Sequence, residues 1–105
     1  MKIYDKALDL VASVCKLSRI VQRHDSDLAR QMRRSVTSVP LNLSEGAYSQ
    51  GRNERARFYT ALASAAEVRA CLEVAEAFEY IERLDAGVHD LLDRVIATLH
   101  RLARR

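Results

Sequence analysis

Asn42 and Glu45 lie three residues apart, directly after the single proline of the chain, Pro40. An amide beside a carboxylate can hold a ligand or relay a proton. Both groups also pair readily with backbone donors and acceptors that a proline or a helix end leaves free, and this local role is the simpler reading. His89 and Asp93 are one helical turn apart, the spacing of a metal pair, but no cysteine or further histidine is near them in sequence, and two ligands on a polar face do not make a site. Glu73, Glu76 and Glu79 share one helix side. Arg69, four residues before Glu73, and Arg83, four after Glu79, predict a salt-bridged surface there instead of acid–base chemistry. A Gly-rich phosphate loop, an HExxH run, a nucleophile elbow and a kinase signature are all absent. These patterns predict no catalysis, no metal and no cofactor.

The cations are more informative. Lys16, Arg19 and Arg23 fall on the outer side of a first helical segment, and Arg30, Arg33 and Arg34 on the outer side of a second, all close to the turn between them. Asp5 and Asp9 early and Lys16, Arg19 and Arg23 late complement a helix macrodipole, at about 0.3 to 1 kcal/mol each. That account fails for Arg30, Arg33 and Arg34, which sit in the first half of their helix. The cluster reads either as a site for an anion, RNA or DNA, or as solvated and interchain salt-bridging charge. No aromatic residue interleaves with it, so stacking of single-stranded bases is not supported. Net charge is only +3, but residues 1–55 carry ten Lys and Arg against six Asp and Glu, whereas residues 56–105 carry seven against eight. An anionic partner is therefore expected at the first half.

The elements that must position these groups are helices. The chain of 105 residues has three glycines, one proline and no tryptophan, is rich in Ala and aliphatics, and fits one domain spanning 1–105. Cys15 and Cys71 are far apart and read as small core residues of a protein in a reducing, cytoplasmic compartment. No apolar run reaches the roughly 18 to 20 residues that cross a bilayer, and the first residues lack a signal peptide's apolar segment, so no membrane partner is expected. A first helix is predicted from Tyr4 to Arg23. A second, capped by Ser26 or Asp27, runs to about Ser44, kinked at Pro40 and ended by Gly46 as a C-terminal glycine. A third starts at Asn53 and reaches about Ile81, and a fourth is capped by Asp85. Short connections favour antiparallel neighbours, hence an all-α, elongated, up-down-up-down four-helix bundle with a Pro-kinked second helix.

The first and third helices carry more apolar surface than one bundle covers. On the first, a Val11-Cys15-Ser18 line and a Leu10-Val14-Leu17-Val21 line run side by side. The second of these is expected to lie outside the bundle, where leaving it in water would forgo about 1.5 to 3 kcal/mol per large aliphatic. Leu10, Val14, Leu17 and Val21 are therefore the expected interface of a homo-oligomer, and a heterologous contact there that closes gives a ring.

The run Gln31-Met32-Arg33-Arg34-Ser35-Val36-Thr37-Ser38-Val39-Pro40-Leu41-Asn42-Leu43-Ser44-Glu45-Gly46 resembles the signature of the bacterial four-helix-bundle proteins encoded in intervening sequences of 23S rRNA genes, at Arg34, Ser38, Pro40, Asn42, Glu45 and Gly46. Ser64-Ala65-Ala66-Glu67-Val68 resembles that family's Gly-Ser-x-x-Glu-Leu. Ala63 replaces the family's glycine, and Ala47-Tyr48-Ser49-Gln50 replaces its Gly-Arg-rich loop. The resemblance spans essentially the whole chain. It implies an antiparallel bundle assembling as a ring, typically a homopentamer, without established enzymatic activity. A more distant similarity is to the accessory protein of diversity-generating retroelements, a basic pentameric barrel that associates with a reverse transcriptase and nucleic acid. Two functions are weighed on this basis: a self-assembling module presenting its basic hairpin to nucleic acid or to a nucleic-acid enzyme, and an oligomeric scaffold for another protein.

Overall fold

A computed structural model describes residues 1–105 as four helices, α1 (Lys2–Gln22), α2 (Ser26–Ala47), α3 (Gly51–Ala77) and α4 (Ala86–Ala103), and no strand. Each helix packs on the next and α4 returns to α1, so α1 and α3 stand diagonally across a bundle measuring 42 × 25 × 19 Å. The expected elongated four-helix bundle is the observed fold. Its α1–α2 turn and α3–α4 connection share one end, where His24 stacks on Tyr80 with ring centroids 5.1 Å apart.

Local chemistry sets the helix starts. Asp25, one residue before the expected Ser26, caps α2 by accepting from the Leu28 N–H at 2.9 Å, and Asp85 caps α4 through the Val88 N–H, as expected. Asn53 does not cap α3; that helix starts at Gly51 after Gln50, and Asn53 lies within its first turn.

The core corrects the rotation expected for α1. Leu10, Val14 and Val21 are fully buried within the chain's own bundle, with Ile3, Ala7 and Ser18, and Leu17 packs half-buried against the same core. They are not a free interface. Ser18 is tolerated inside because its hydroxyl donates to the Cys15 carbonyl at 2.8 Å. The Val11-Cys15-Ser18 line is not the outward one either, since Ser18 is buried and Val11, like Tyr4, packs half-buried at the edge of the core; what faces outward is Leu8, 44% exposed, with Ala12 exposed and Cys15 half-buried beside it.

Two helix ends also differ from expectation. α2 continues through Pro40 and past Gly46 to Ala47, so Gly46 is a helical residue and not a C-terminal glycine. Its lack of a side chain has a packing cause, because a Cβ there would stand 2.6 Å from Cε1 of Phe58. α3 stops at Ala77, short of Ile81, in a Schellman turn: the Tyr80 N–H reaches the Ala75 carbonyl and the Glu79 N–H the Glu76 carbonyl. Glu79 occupies the left-handed position of that turn at φ 60°, where glycine is the ordinary residue. An L-residue there costs about 1 to 2 kcal/mol. Glycine gives back about half of that through its freer unfolded chain. Glu79→Gly should therefore raise stability by about 0.5 to 1 kcal/mol, a gain of a few degrees in thermal unfolding. A lower melting temperature would mean that the Glu79 side chain contributes more than its backbone costs.

Candidate functional site

Helix phase places the six cations as expected on the outside of the α1–α2 hairpin. Lys16, Arg19, Arg23, Arg30, Arg33 and Arg34 are all exposed. Arg30 alone has a carboxylate partner, Asp27 at 3.8 Å, and both side chains of that pair are largely in water. Such a pair contributes little. Arg33 donates to Oε1 of Gln22 at 3.2 Å and so leans toward α1, whereas Arg34 faces α3. The six therefore form a band wrapped around the hairpin rather than one flat patch.

The opposite side of the same end is acidic. Residues 12–36 hold six Lys and Arg against two Asp, a formal +4, while residues 66–90 hold seven Asp and Glu against two Arg, a formal −5. Between these sides stands a group of rings that no local pattern in the sequence announces: Tyr80 stacks with His24 of the hairpin and with Phe78, at 5.0 Å, and Phe78 is 62% exposed. Aromatic rings thus do reach the basic end, but Tyr80 shares its hollow with Glu76, Glu79 and Glu82 against the single cation Arg83. The fixed charge of that flank is thus opposite in sign to that of the hairpin.

The two halves of the motif quoted above meet across the α2–α3 seam. Ser64 donates to Oγ of Ser38 at 2.8 Å, and Nδ2 of Asn42 donates to the same oxygen and to the Ser38 carbonyl, each at 2.9 Å. Arg57 of α3 donates to Oδ1 of Asn42 at 3.3 Å. Asn42 therefore ties α2 to α3, and the carbonyl it meets is that of Ser38, not the Val36 carbonyl that Pro40 leaves free. The Glu45 side chain is exposed and makes no hydrogen bond. One turn along, the Ser35 hydroxyl lies 2.5 Å from Oε2 of Glu67 and 2.7 Å from the Gln31 carbonyl. Above this ladder opens a groove of about 440 Å³, lined by Asp27, Arg30, Gln31, Arg34, Ser35 and Ser38 of α2 and by Ser64 and Glu67 of α3. No apolar side chain lines it. Sequence spacing could not show this, because the paired residues are 26 and 32 positions apart.

Burial, reinforced by the Glu67 carboxylate and opposed by a hydrogen bond from Ser35, raises the Cys71 thiol above its ordinary range. It stays protonated at neutral pH and is a poor nucleophile. Arg69 pairs with Asp93 of α4 and not with Glu73, and neither Glu73, Glu76 nor Glu79 makes an ion pair, so the expected salt bridges along α3 do not form. The same pairing occupies Asp93, which the sequence offered as a metal partner of His89.

Two apolar stripes remain in water. Besides the α1 stripe around Leu8, α3 exposes Tyr59, Ala63, Ala66, Ala70, Val74 and Ala77 along its whole outer face at helical spacing. Because α1 and α3 are diagonal, these stripes point in different directions. The expectation that the first and third helices carry surplus apolar surface thus holds, on different residues of α1 than expected.

The fold is that of a crystal structure at 1.70 Å of a protein of unknown function from the S23 ribosomal protein family of Bacteroides thetaiotaomicron, with a TM-score of 0.87 and 22% identity over 98% of this chain and 99% of that one. Curated proteins give no match. No helix is long and apolar enough to cross a membrane. The model of one family, the 23S rRNA-intervening sequence proteins, matches residues 1–101, and the chain belongs to that family.

Proposed function

We propose that the chain is a non-enzymatic, self-assembling interaction module that holds nucleic acid on the α1–α2 hairpin. The supporting observation is the band of six exposed cations, five of them without a carboxylate partner. Solvated charge largely without carboxylate partners, gathered at one end of the bundle, is the electrostatic footprint of a polyanion site. Phosphate contacts of this kind release counterions, and each one contributes about 0.9 to the log–log salt slope on duplex DNA. Replacing Arg30, Arg33 and Arg34 by Gln should weaken RNA and DNA binding and reduce that slope by about 2 to 3. Helicity should be unchanged, since all three side chains are exposed. Titrations at several salt concentrations measure this; wild-type affinity and slope in the triple variant would remove the hairpin as the site.

Self-assembly rests on the two exposed stripes. Copies joined through the α1 stripe of one and the α3 stripe of the next use different faces, a heterologous contact that closes into a ring. Five is the subunit number implied by the family resemblance. A scaffold for another protein would use the same stripes and leave the hairpin cations idle, so the salt titration separates the two readings. A cytoplasmic setting accords with two unpaired thiols.

A further inference from the structure

The polar groove between α2 and α3 has an unspent donor. Ser38 and Ser64 carry two hydroxyl protons between them; one lies in their 2.8 Å bond, and Asn42 supplies Ser38 with an additional proton rather than taking one. Whichever way the Ser–Ser bond is oriented, one O–H is left without a protein acceptor. Arg34, on the same groove, has no carboxylate partner. These are donors for an oxyanion. The groove also holds Asp27 and Glu67, which cancel the charge of Arg30 and Arg34. Ser35 engages one oxygen of Glu67, and the other has no partner. A bare phosphate meets attraction on one side and repulsion on the other. A ligand that fits both sides carries an anionic oxygen and, next to it, a hydroxyl that donates.

We propose that this groove takes a ribose phosphate unit, with a phosphate oxygen on Arg34 and the free Ser hydroxyl and the 2′-OH donating to Glu67, and so makes the protein prefer RNA to DNA. The proposal rests on the nucleic-acid reading above and narrows it. Arg30 and Arg34 belong both to the basic band and to the groove, which makes the groove continuous with the hairpin surface. The 2′-OH is the group by which a protein distinguishes the two nucleic acids at a given position. A ribose phosphate unit can come from an RNA chain or from a free ribonucleotide.

The test compares an RNA stem-loop, DNA of the same sequence and adenosine 5′-monophosphate on the full chain at low salt. Wild type should bind the RNA about tenfold more tightly than the DNA. Arg34→Gln should weaken both by a similar factor. Glu67→Gln should move the two in opposite directions: the RNA loses its acceptor, while the DNA gains because a repelling carboxylate is gone, and the tenfold ratio closes toward one. Loss of packing alone would not tighten DNA binding, and circular dichroism confirms the fold of each variant. Ser38→Ala with Ser64→Ala should weaken both ligands, as Arg34→Gln does. Equal wild-type affinity for RNA and DNA, or a Glu67→Gln variant that weakens both, overturns the groove proposal and leaves the hairpin reading standing. Absence of binding to either polymer overturns both. Saturation by the mononucleotide at the affinity of the RNA identifies a free ribonucleotide as the source of the ligand.

Discussion

Leu10→Glu should unfold the chain, whereas Leu8→Glu, two residues away on the same helix, should leave it folded. Leu10 is 0% exposed and Leu8 44%. At position 10 the substitution forgoes the burial of an aliphatic side chain, about 1.5 to 3 kcal/mol. It also places an unpartnered carboxylate in the buried apolar core, a further penalty of several kcal/mol. Set against the roughly 5 to 15 kcal/mol that hold a domain together, the sum consumes most or all of the stability. The far-ultraviolet helical signal should be largely lost at 25 °C. Leu8→Glu combined with Ala66→Glu touches only the two outward stripes. It should preserve the helical signal while a light-scattering mass falls to that of one chain, because like charges now face each other across the proposed contact. A folded Leu10→Glu variant would mean that α1 is rotated from its described phase. A wild type that already scatters as a single chain at micromolar concentration removes the ring.

Residue type alone does not fix the rotation of α1. Two apolar lines run along it, and a hydrophobicity argument alone does not choose between them, since Leu and Ala occur on both. The inner line, Ile3-Ala7-Leu10-Val14-Ser18-Val21, is broken only by a serine, which a bond to its own helix neutralises. The outer line runs from Tyr4 through Leu8, Ala12 and Cys15 into Arg19, a charge that no single-domain core accommodates unpaired. Absence of a charge along the full length of a line was the usable signal. α3 is harder still, because its apolar residues occur all round; its inner face, with Phe58, Ala61, Ala65, Val68 and Leu72, and its outer face, with Tyr59, Ala63, Ala66 and Ala70, have nearly the same composition. Its early stop is invisible in sequence for another reason. The turn uses Glu79 where the rule expects glycine, and only the backbone reveals it. The helices, the Asp85 cap and the exposed cations depend on local spacing and were legible. The groove depends on pairings such as Ser38 with Ser64 and Ser35 with Glu67, which no period within one helix encodes.

Gly46 gives the second large effect, and two opposing magnitudes decide its sign. Glycine inside a helix is disfavoured by about 1 kcal/mol relative to alanine, so on propensity alone Gly46→Ala would stabilise α2. The packing argues the other way. An alanine Cβ would lie 2.6 Å from Cε1 and 2.9 Å from Cδ1 of Phe58, and 3.3 Å from Cβ of Arg57. Phe58 is itself only 6% exposed. Its ring therefore has little room to retreat, and relief must come from separating α2 from α3 at the end where the two helices turn into one another. Forcing an extra carbon into a packed contact costs about 1 to 3 kcal/mol. With the clash this deep the upper part of that range applies, so Gly46→Ala should lower stability by about 1 to 2 kcal/mol after the propensity gain. Thermal unfolding should shift down by about 4 to 10 °C. Phe58→Leu removes the ring carbons that cause the clash while keeping an aliphatic in the core, and adding it to Gly46→Ala should cost less than the two single effects summed. Contacting residues commonly deviate from additivity by 0.5 to 3 kcal/mol, and the expected sign here is that of relief. If the two effects simply add, or if Gly46→Ala alone is stabilising, the close approach of α2 and α3 at Gly46 is not what excludes a side chain there.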